Sequence, residues 1–313
     1  MLEWSLFRVV PTPPSRCQSL LRENAARGRL AASQPIISMP VISLTRPDLE
    51  QLIVRIATAV GQNRETLAGE KSTPTLERAA LPVSASNLSP DVRGLARLID
   101  HTALRPEASQ SEIEQLCREA WSWGFRAVHV NPAWVALAAE LLRGSEVQIG
   151  TVVGFPFGAT LASAKRAEAE AAIRVGAREL DMVMNVGAMR SGNFELVRSD
   201  IAGVAEVTHA SGCTLKVILE NAYLSDSQKV AACRIARQAG ADFVKTSTGF
   251  GPSGAREADV RLMREAVGPA MGVKAAGGIR TLRDALGMLE AGADRLGASA
   301  SVSILAEASV RAD

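Results

Sequence analysis

From about residue 95 onward, short β-prone runs and amphipathic helical segments alternate eight times, and that rhythm confines the chain to a parallel α/β architecture. The runs fall at Leu98–Thr102, Ala127–Asn131, Ile149–Gly154, Leu180–Asn185, Leu215–Glu220, Phe243–Thr248, Val273–Gly278 and Arg295–Ser299. Helix starts are marked by Ser109 with Glu112, Ser225 with Gln228 and Thr281 with Asp284, each a pair that can cap reciprocally. Gly124, Gly176, Gly240 and Gly292 stand where helices should stop. Eight strand–helix units over roughly 215 residues predict a (β/α)8 TIM barrel. A doubly wound open sheet is the rival, but no glycine fingerprint follows the first strand.

The first ninety residues do not share this pattern. Residues 1–38 carry Arg8, Arg16, Arg22, Arg27 and Arg29 against only Glu3 and Glu23, with prolines at 11, 13 and 14. An Arg-rich, acid-poor start can be a transit peptide. The plainer expectation is a disordered or non-native extension, with Met39 as the true start. Within 39–90, Leu49, Leu52, Ile53, Ile56 and Val60 share one face of an amphipathic helix over Thr45–Gly61, followed by a polar linker. The barrel is expected over 91–313.

A net charge of +2 gives no reason to expect a nucleic-acid or membrane surface. No apolar stretch is long enough to span a bilayer. Four cysteines without metal or redox spacing suit a reducing, cytoplasmic setting. Three histidines leave little material for a metal centre, so neither metal nor cofactor is expected.

Two lysines carry the chemistry. Lys245, in Ala241-Asp-Phe-Val-Lys-Thr-Ser-Thr-Gly249, and Lys274, in Gly272-Val-Lys-Ala-Ala-Gly-Gly278, each lie in an apolar run followed by a glycine turn. A lysine there is costly to desolvate. One alone could be half of an ion pair, but two on successive strands suggest an amine kept neutral by its neighbour's charge, and so nucleophilic toward carbonyls. Asp181, polar within Leu180–Met184, is a candidate for proton transfer, as is Asp100 on the first strand. Glu220 shares a strand face with Lys216 by period two, so those two are expected to satisfy each other. Gly277 and Gly278 after the seventh strand, Ser299 after the eighth, and Gly249 after the sixth form the kind of turns that bind phosphate in barrels. Gly249-Phe-Gly-Pro-Ser-Gly254 matches a dinucleotide fingerprint but follows the wrong strand. His129 reads as a structural histidine at the end of strand two, and Trp121, Trp123 and Trp134 as helix-to-barrel packing.

Seven segments together resemble deoxyribose-phosphate aldolases: Leu98-Ile-Asp-His-Thr-Ala-Leu104, Val130-Asn-Pro132, Val152-Val-Gly-Phe-Pro156, Glu179-Leu-Asp-Met-Val183, Lys216-Val-Ile-Leu-Glu220, Phe243–Gly249 and Val273–Thr281. The resemblance spans residues 95 to 308. It implies a metal-independent class I aldolase that reversibly cleaves 2-deoxy-D-ribose 5-phosphate to acetaldehyde and glyceraldehyde 3-phosphate. By motif position Lys245 matches the Schiff-base lysine and Lys274 the lysine that lowers its pKa. Asp181 matches the proton-transfer aspartate, Asp100 a supporting acid, and Gly277, Gly278 and Ser299 the phosphate grip. Implied partners are small phosphosugars and aldehydes, plus further copies of the chain in a dimer or tetramer. Another Schiff-base phosphosugar lyase, or a barrel that binds a phosphosugar without catalysis, would share these features. His129 stands where many relatives carry cysteine, Phe250 where one branch has lysine, and Ala300 where a second serine is common.

Overall fold

The computed structural model describes residues 90–312. The expected extension, the Thr45–Gly61 helix and the linker lie outside the described residues. A short helix, α1 (Pro90–Ala96), leads into β1 (Ile99–Ala103), α2 (Gln110–Trp123), β2 (Ala127–Val130), α3 (Val135–Leu141) and β3 (Gln148–Val153). Next come α4 (Ala162–Arg174), β4 (Glu179–Val183), α5 (Val186–Arg190), α6 (Phe194–Ala210) and β5 (Thr214–Ile218). The rest is α7 (Asp226–Gln238), β6 (Phe243–Lys245), α8 (Glu257–Val267), β7 (Gly272–Ala276), α9 (Leu282–Glu290), β8 (Arg295–Ala298) and α10 (Ser301–Ala312). The eight strands pair in parallel, in chain order, and β8 closes on β1. This is the expected TIM barrel. Among the described residues, no helix is long and apolar enough to cross a membrane.

Local chemistry sets the element boundaries. Ser225 accepts the Gln228 N–H at 3.3 Å while the Gln228 side chain accepts the Ser225 N–H at 3.0 Å, and Thr281 with Asp284 repeats the arrangement. Glu112 takes both the N–H and the hydroxyl of Ser109. Gly124 closes α2 in the left-handed conformation, φ 70°. The outward faces of the strands, such as Leu180 and Met182, Leu215 and Val217, and Val244, are buried with helix residues such as Val197, Ile201 and Val204 in the apolar core. Trp123 joins that core, and Trp134 packs half-buried against it. Trp121 does not: it falls beside the buried stripe of α2 and is 44% exposed.

All the strands but β1 end earlier than the hydrophobic runs suggest. β6 has three residues: the Thr246 N–H still donates to the Lys274 carbonyl at 3.0 Å, but the Thr248 N–H goes to the Glu220 carboxylate instead of a neighbouring strand. The barrel interior is charged where aliphatic layers would be usual. Asp100, Glu179, Asp181, Lys216, Lys245, Lys274 and Arg295 are all buried there. Glycines make room for them and their neighbours: a Cβ on Gly150 would lie 2.2 Å from the His129 ring, and one on Gly297 would lie 3.1 Å from Cε of Lys274.

Candidate active site

Register brings the key side chains together. Lys245 and Lys274 are paired residues on β6 and β7, and Asp181 and Lys216 are paired on β4 and β5, so each pair projects to the same, inner, face. Nζ of Lys245 and Nζ of Lys274 each lie 2.8 Å from the same atom, Oδ2 of Asp181. The other Asp181 oxygen takes Lys216 at 3.0 Å and Nε2 of His129 at 3.1 Å. Lys216 also meets Glu179 at 2.7 Å. Arg295 bonds Asp100 at 2.7 Å and lies 3.2 Å from Glu179. Lys274 lies 2.5 Å from Oδ2 of Asp100, an ionic contact whose angles fall short of a hydrogen bond.

This geometry changes three expectations. Lys216 does not pair with Glu220. The strand ends at Ile218, Glu220 turns into the left-handed region, and its carboxylate meets Thr248, so period two no longer applies. Asp100 is held far below the usual carboxylate range: burial opposes ionisation, but Lys274, His129 and Arg295 outweigh it. It is therefore an ionised anchor for Lys274 and Arg295 at neutral pH, not an acid with a proton to give. The pKa of Lys245 is lowered to about 8, and burial is the largest cause. Asp181 opposes the shift, and the charge on Lys274 adds to burial rather than leading.

Asp181 is likewise held well below the ordinary value, with burial outweighed by His129 and the ammoniums of Lys216, Lys245 and Lys274. Burial lowers the pKa of His129. In the neutral ring, a proton on Nε2 is the one that can be donated to Asp181. His129 thus sits inside the charge cluster, a larger part than the structural role expected of it.

Above this floor lies a cavity of about 740 Å³ at the carboxyl ends of the strands. Lys245 opens into it, whereas Asp181 and Lys274 lie beneath, at 0% and 1% exposure. Gly249, Gly277, Gly278 and Ser299 all line it. The three glycines have φ between 81° and 92°, conformations that L side chains rarely adopt. The amide N–H groups of Gly249, Gly278 and Ser299 have no acceptor among the described residues. Arg280, on the same wall, presents an exposed guanidinium with no partner among the described residues. Phe250 lines the cavity and stacks edge-on against Phe155.

Sequence reasoning missed Glu179, Arg295 and Arg280 and misassigned Lys216. The available signal was a charge at the start of or within a β-prone run, and a cation directly after the Gly277-Gly278-Ile279 turn. Asp100, His129 and Glu179 are the group among the described residues that could hold a metal ion. Their carboxylate oxygens already face Lys274, Arg295 and Lys216, so the donor set carries no surplus negative charge to attract one.

A family model described as DeoC/LacD family aldolase matches residues 95–306. Deoxyribose-phosphate aldolase of Aciduliprofundum boonei is 54% identical over 215 residues, covering 69% of this chain and 97% of that one. Its counterpart in Methanothermobacter thermautotrophicus is 56% identical over 212 residues, covering 67% and 93%. Among solved structures, the tetrameric deoxyribose phosphate aldolase from Aeropyrum pernix superposes with a TM-score of 0.66 at 34% identity, covering 71% of this chain and 94% of that one.

Proposed function

The chain belongs to the DeoC/LacD family of aldolases and acts as a deoxyribose-phosphate aldolase, a carbon–carbon lyase, and we propose that it works through a Schiff base on Lys245. The observation that carries this assignment is Lys245 itself: a buried amine, depressed toward neutrality, at the floor of the cavity and sharing one carboxylate oxygen with Lys274.

Neutral Lys245 attacks C1 of the open-chain sugar, and loss of water leaves a protonated imine. The C2–C3 bond then breaks. Its electron pair flows into the imine to give an enamine, and the C3 hydroxyl loses its proton as glyceraldehyde 3-phosphate forms. Protonation at C2 and hydrolysis release acetaldehyde and restore the amine. Asp181, working through a water, carries these protons. While ringed by ammoniums it is a weak base. Once the imine has become a neutral enamine, Oδ2 loses one cationic partner and its proton affinity rises at the step that needs it.

The phosphate sits against the amides of Gly249, Gly278 and Ser299 and the turn at Gly277, with Arg280 supplying the charge that Phe250 lacks. Its binding energy orients carbons several bonds away. Asp100 holds Lys274 in place. A homo-oligomer is in keeping with the tetrameric relative and with the exposed apolar side chains of Leu161, Phe194 and Leu196. A cytoplasmic location fits the buried, unpaired thiols of Cys117, Cys213 and Cys233.

Borohydride reduction in the presence of substrate tests the assignment. Peptide mapping should place the reduced adduct on Lys245, and Lys245→Leu should fold without turning over. An adduct on another residue, or none while turnover continues, overturns the assignment.

A further inference from the structure

Glu220 is the single non-glycine residue with positive φ among the described residues, at φ 55° and ψ 63°. An L side chain takes that conformation at a steric cost, and it persists where surrounding contacts over-determine it. Here they do. The carboxylate is buried and accepts a hydrogen bond from the Thr248 hydroxyl. It also receives the Thr248 N–H at 3.2 Å. The Thr248 hydroxyl in turn accepts the Phe250 N–H at 3.0 Å. Gly251 presses so closely that a Cβ there would lie 3.0 Å from the Glu220 carboxyl carbon. On the other side, the Asn221 N–H donates to the Thr246 carbonyl at 3.0 Å. The turn after β5 therefore grips the whole turn after β6, and among the described residues no side-chain cation forms an ion pair with Glu220, the charge of Lys245 acting on it only from a distance.

The gripped segment borders two hollows. Thr248 and Phe250 line the cavity that holds Lys245. With Gly251 and Glu220 itself they also line a second hollow of about 240 Å³, bounded by Phe157, Arg190 and Tyr223. The segment from Thr248 to Gly251 is held there by the edge contact of Phe250 with Phe155 and by the Glu220 carboxylate, and of the two it is Glu220 that fixes Thr248. Gly249 lies in the middle of the segment.

We propose that Glu220 is a positioning residue for phosphate recognition: by clamping Thr248 it holds the Gly249 amide where the phosphate end of the substrate meets it. This rests on the assignment of Gly249 to the phosphate site. Its main effect falls on the affinity for phosphorylated substrates, because the clamp acts on the segment beyond Lys245 and touches neither the amine nor Asp181, reaching Lys245 only through a longer-range charge interaction.

Steady-state kinetics with 2-deoxyribose 5-phosphate and with 2-deoxyribose test the clamp. Glu220→Ala should raise KM for the phosphorylated sugar about tenfold, the loss of one strong hydrogen-bond acceptor. It should keep kcat within about a factor of two and leave kcat/KM for the plain sugar unchanged. Inhibition by inorganic phosphate should weaken by the same factor. Glu220→Gln, whose amide oxygen can still accept from Thr248, should recover most of the loss. Gly251→Ala pushes on the carboxylate without removing it and should raise the same KM, which keeps the test open if Glu220→Ala does not fold. Equal losses on both sugars, a fall in kcat alone, or a Gln variant as poor as Ala would overturn the proposal. A wild-type protein that does not distinguish the two sugars would instead overturn the phosphate site itself.

Discussion

Replacing Lys274 with methionine keeps the unbranched shape of the side chain, one atom shorter, and removes its charge. Both ammonium nitrogens lie 2.8 Å from Oδ2 of Asp181, so they can be no more than twice that, 5.6 Å, apart. Two unit charges at that separation repel by about 3 kcal/mol at an effective dielectric of about 20. That is worth roughly two pH units on the pKa of Lys245. The amine, now at about 8, should therefore ionise near about 10 in the variant, with burial still holding it below a free lysine. The sign follows from the charge: a lysine whose pKa rises is less often neutral at any pH below it. At pH about 7.5 the neutral fraction falls from roughly a quarter to roughly one part in 300, a loss of about 80-fold in kcat/KM. The pH profile of kcat/KM reads this directly, since its acid limb reports the free enzyme. The limb should move about two units to the alkaline side, with most activity recovered above it, and Lys274→Arg should keep it near 8. A limb that stays put while activity falls equally at all pH values would refute the electrostatic reasoning and give Lys274 a direct part in the chemistry.

Asp181→Asn should act in the opposite direction on the same limb. The carboxylate raises the pKa of Lys245, so its loss moves the limb to lower pH while kcat falls at least about 100-fold for want of a proton carrier. Lys165 on α4 is fully buried, 2.5 Å from Asp200 on α6 and 2.9 Å from the Val183 carbonyl at the end of β4. Lys165→Met strands the buried aspartate and should cost about 3–5 kcal/mol by denaturant titration, most of it recovered in the double variant with Asp200→Leu.

The barrel was legible because eight apolar runs each had to be buried and each was punctuated by a cap or a glycine. Ser225 with Gln228 and Thr281 with Asp284 form the expected reciprocal caps. The two lysines stood out for an energetic reason, since an ammonium in an apolar run needs a partner or a task. What stayed hidden depends on register and on where strands stop. Period two placed Lys216 with Glu220, but the strand ends two residues short of Glu220, and a left-handed turn redirects the carboxylate to Thr248. That Asp181 would serve three lysines depends on pairings between β4 and β5 and between β6 and β7, which no local pattern encodes. The dominance of burial over Lys274 in depressing Lys245 also needs the closed barrel, because only closure removes water from the amine.

Charge balance explains why Lys245, and not a neighbour, is the amine whose pKa is lowered toward neutrality. On the barrel floor three carboxylates, Asp100, Glu179 and Asp181, meet four cations, Lys216, Lys245, Lys274 and Arg295, while the buried Glu220 lies in the turn after β5, bonded to Thr248 rather than to any of them. Elsewhere in the fold, buried lysines have their own acids, Lys165 with Asp200 and Lys229 with Asp226 and Asp259. A buried surplus of one positive charge is costly, so the cluster favours losing one proton. Arginine does not give one up near neutrality. Lys216 touches Glu179 and Asp181, and Lys274 touches Asp100 and Asp181. Lys245 touches Asp181 alone and shares it with both of them. It has the least to lose and is the one that borders the cavity. In the proposed mechanism, forming the protonated imine puts the surplus charge back. Breaking the C2–C3 bond removes it again, because the electron pair neutralises the iminium. The imbalance that frees the amine to attack therefore also drives the imine toward cleavage.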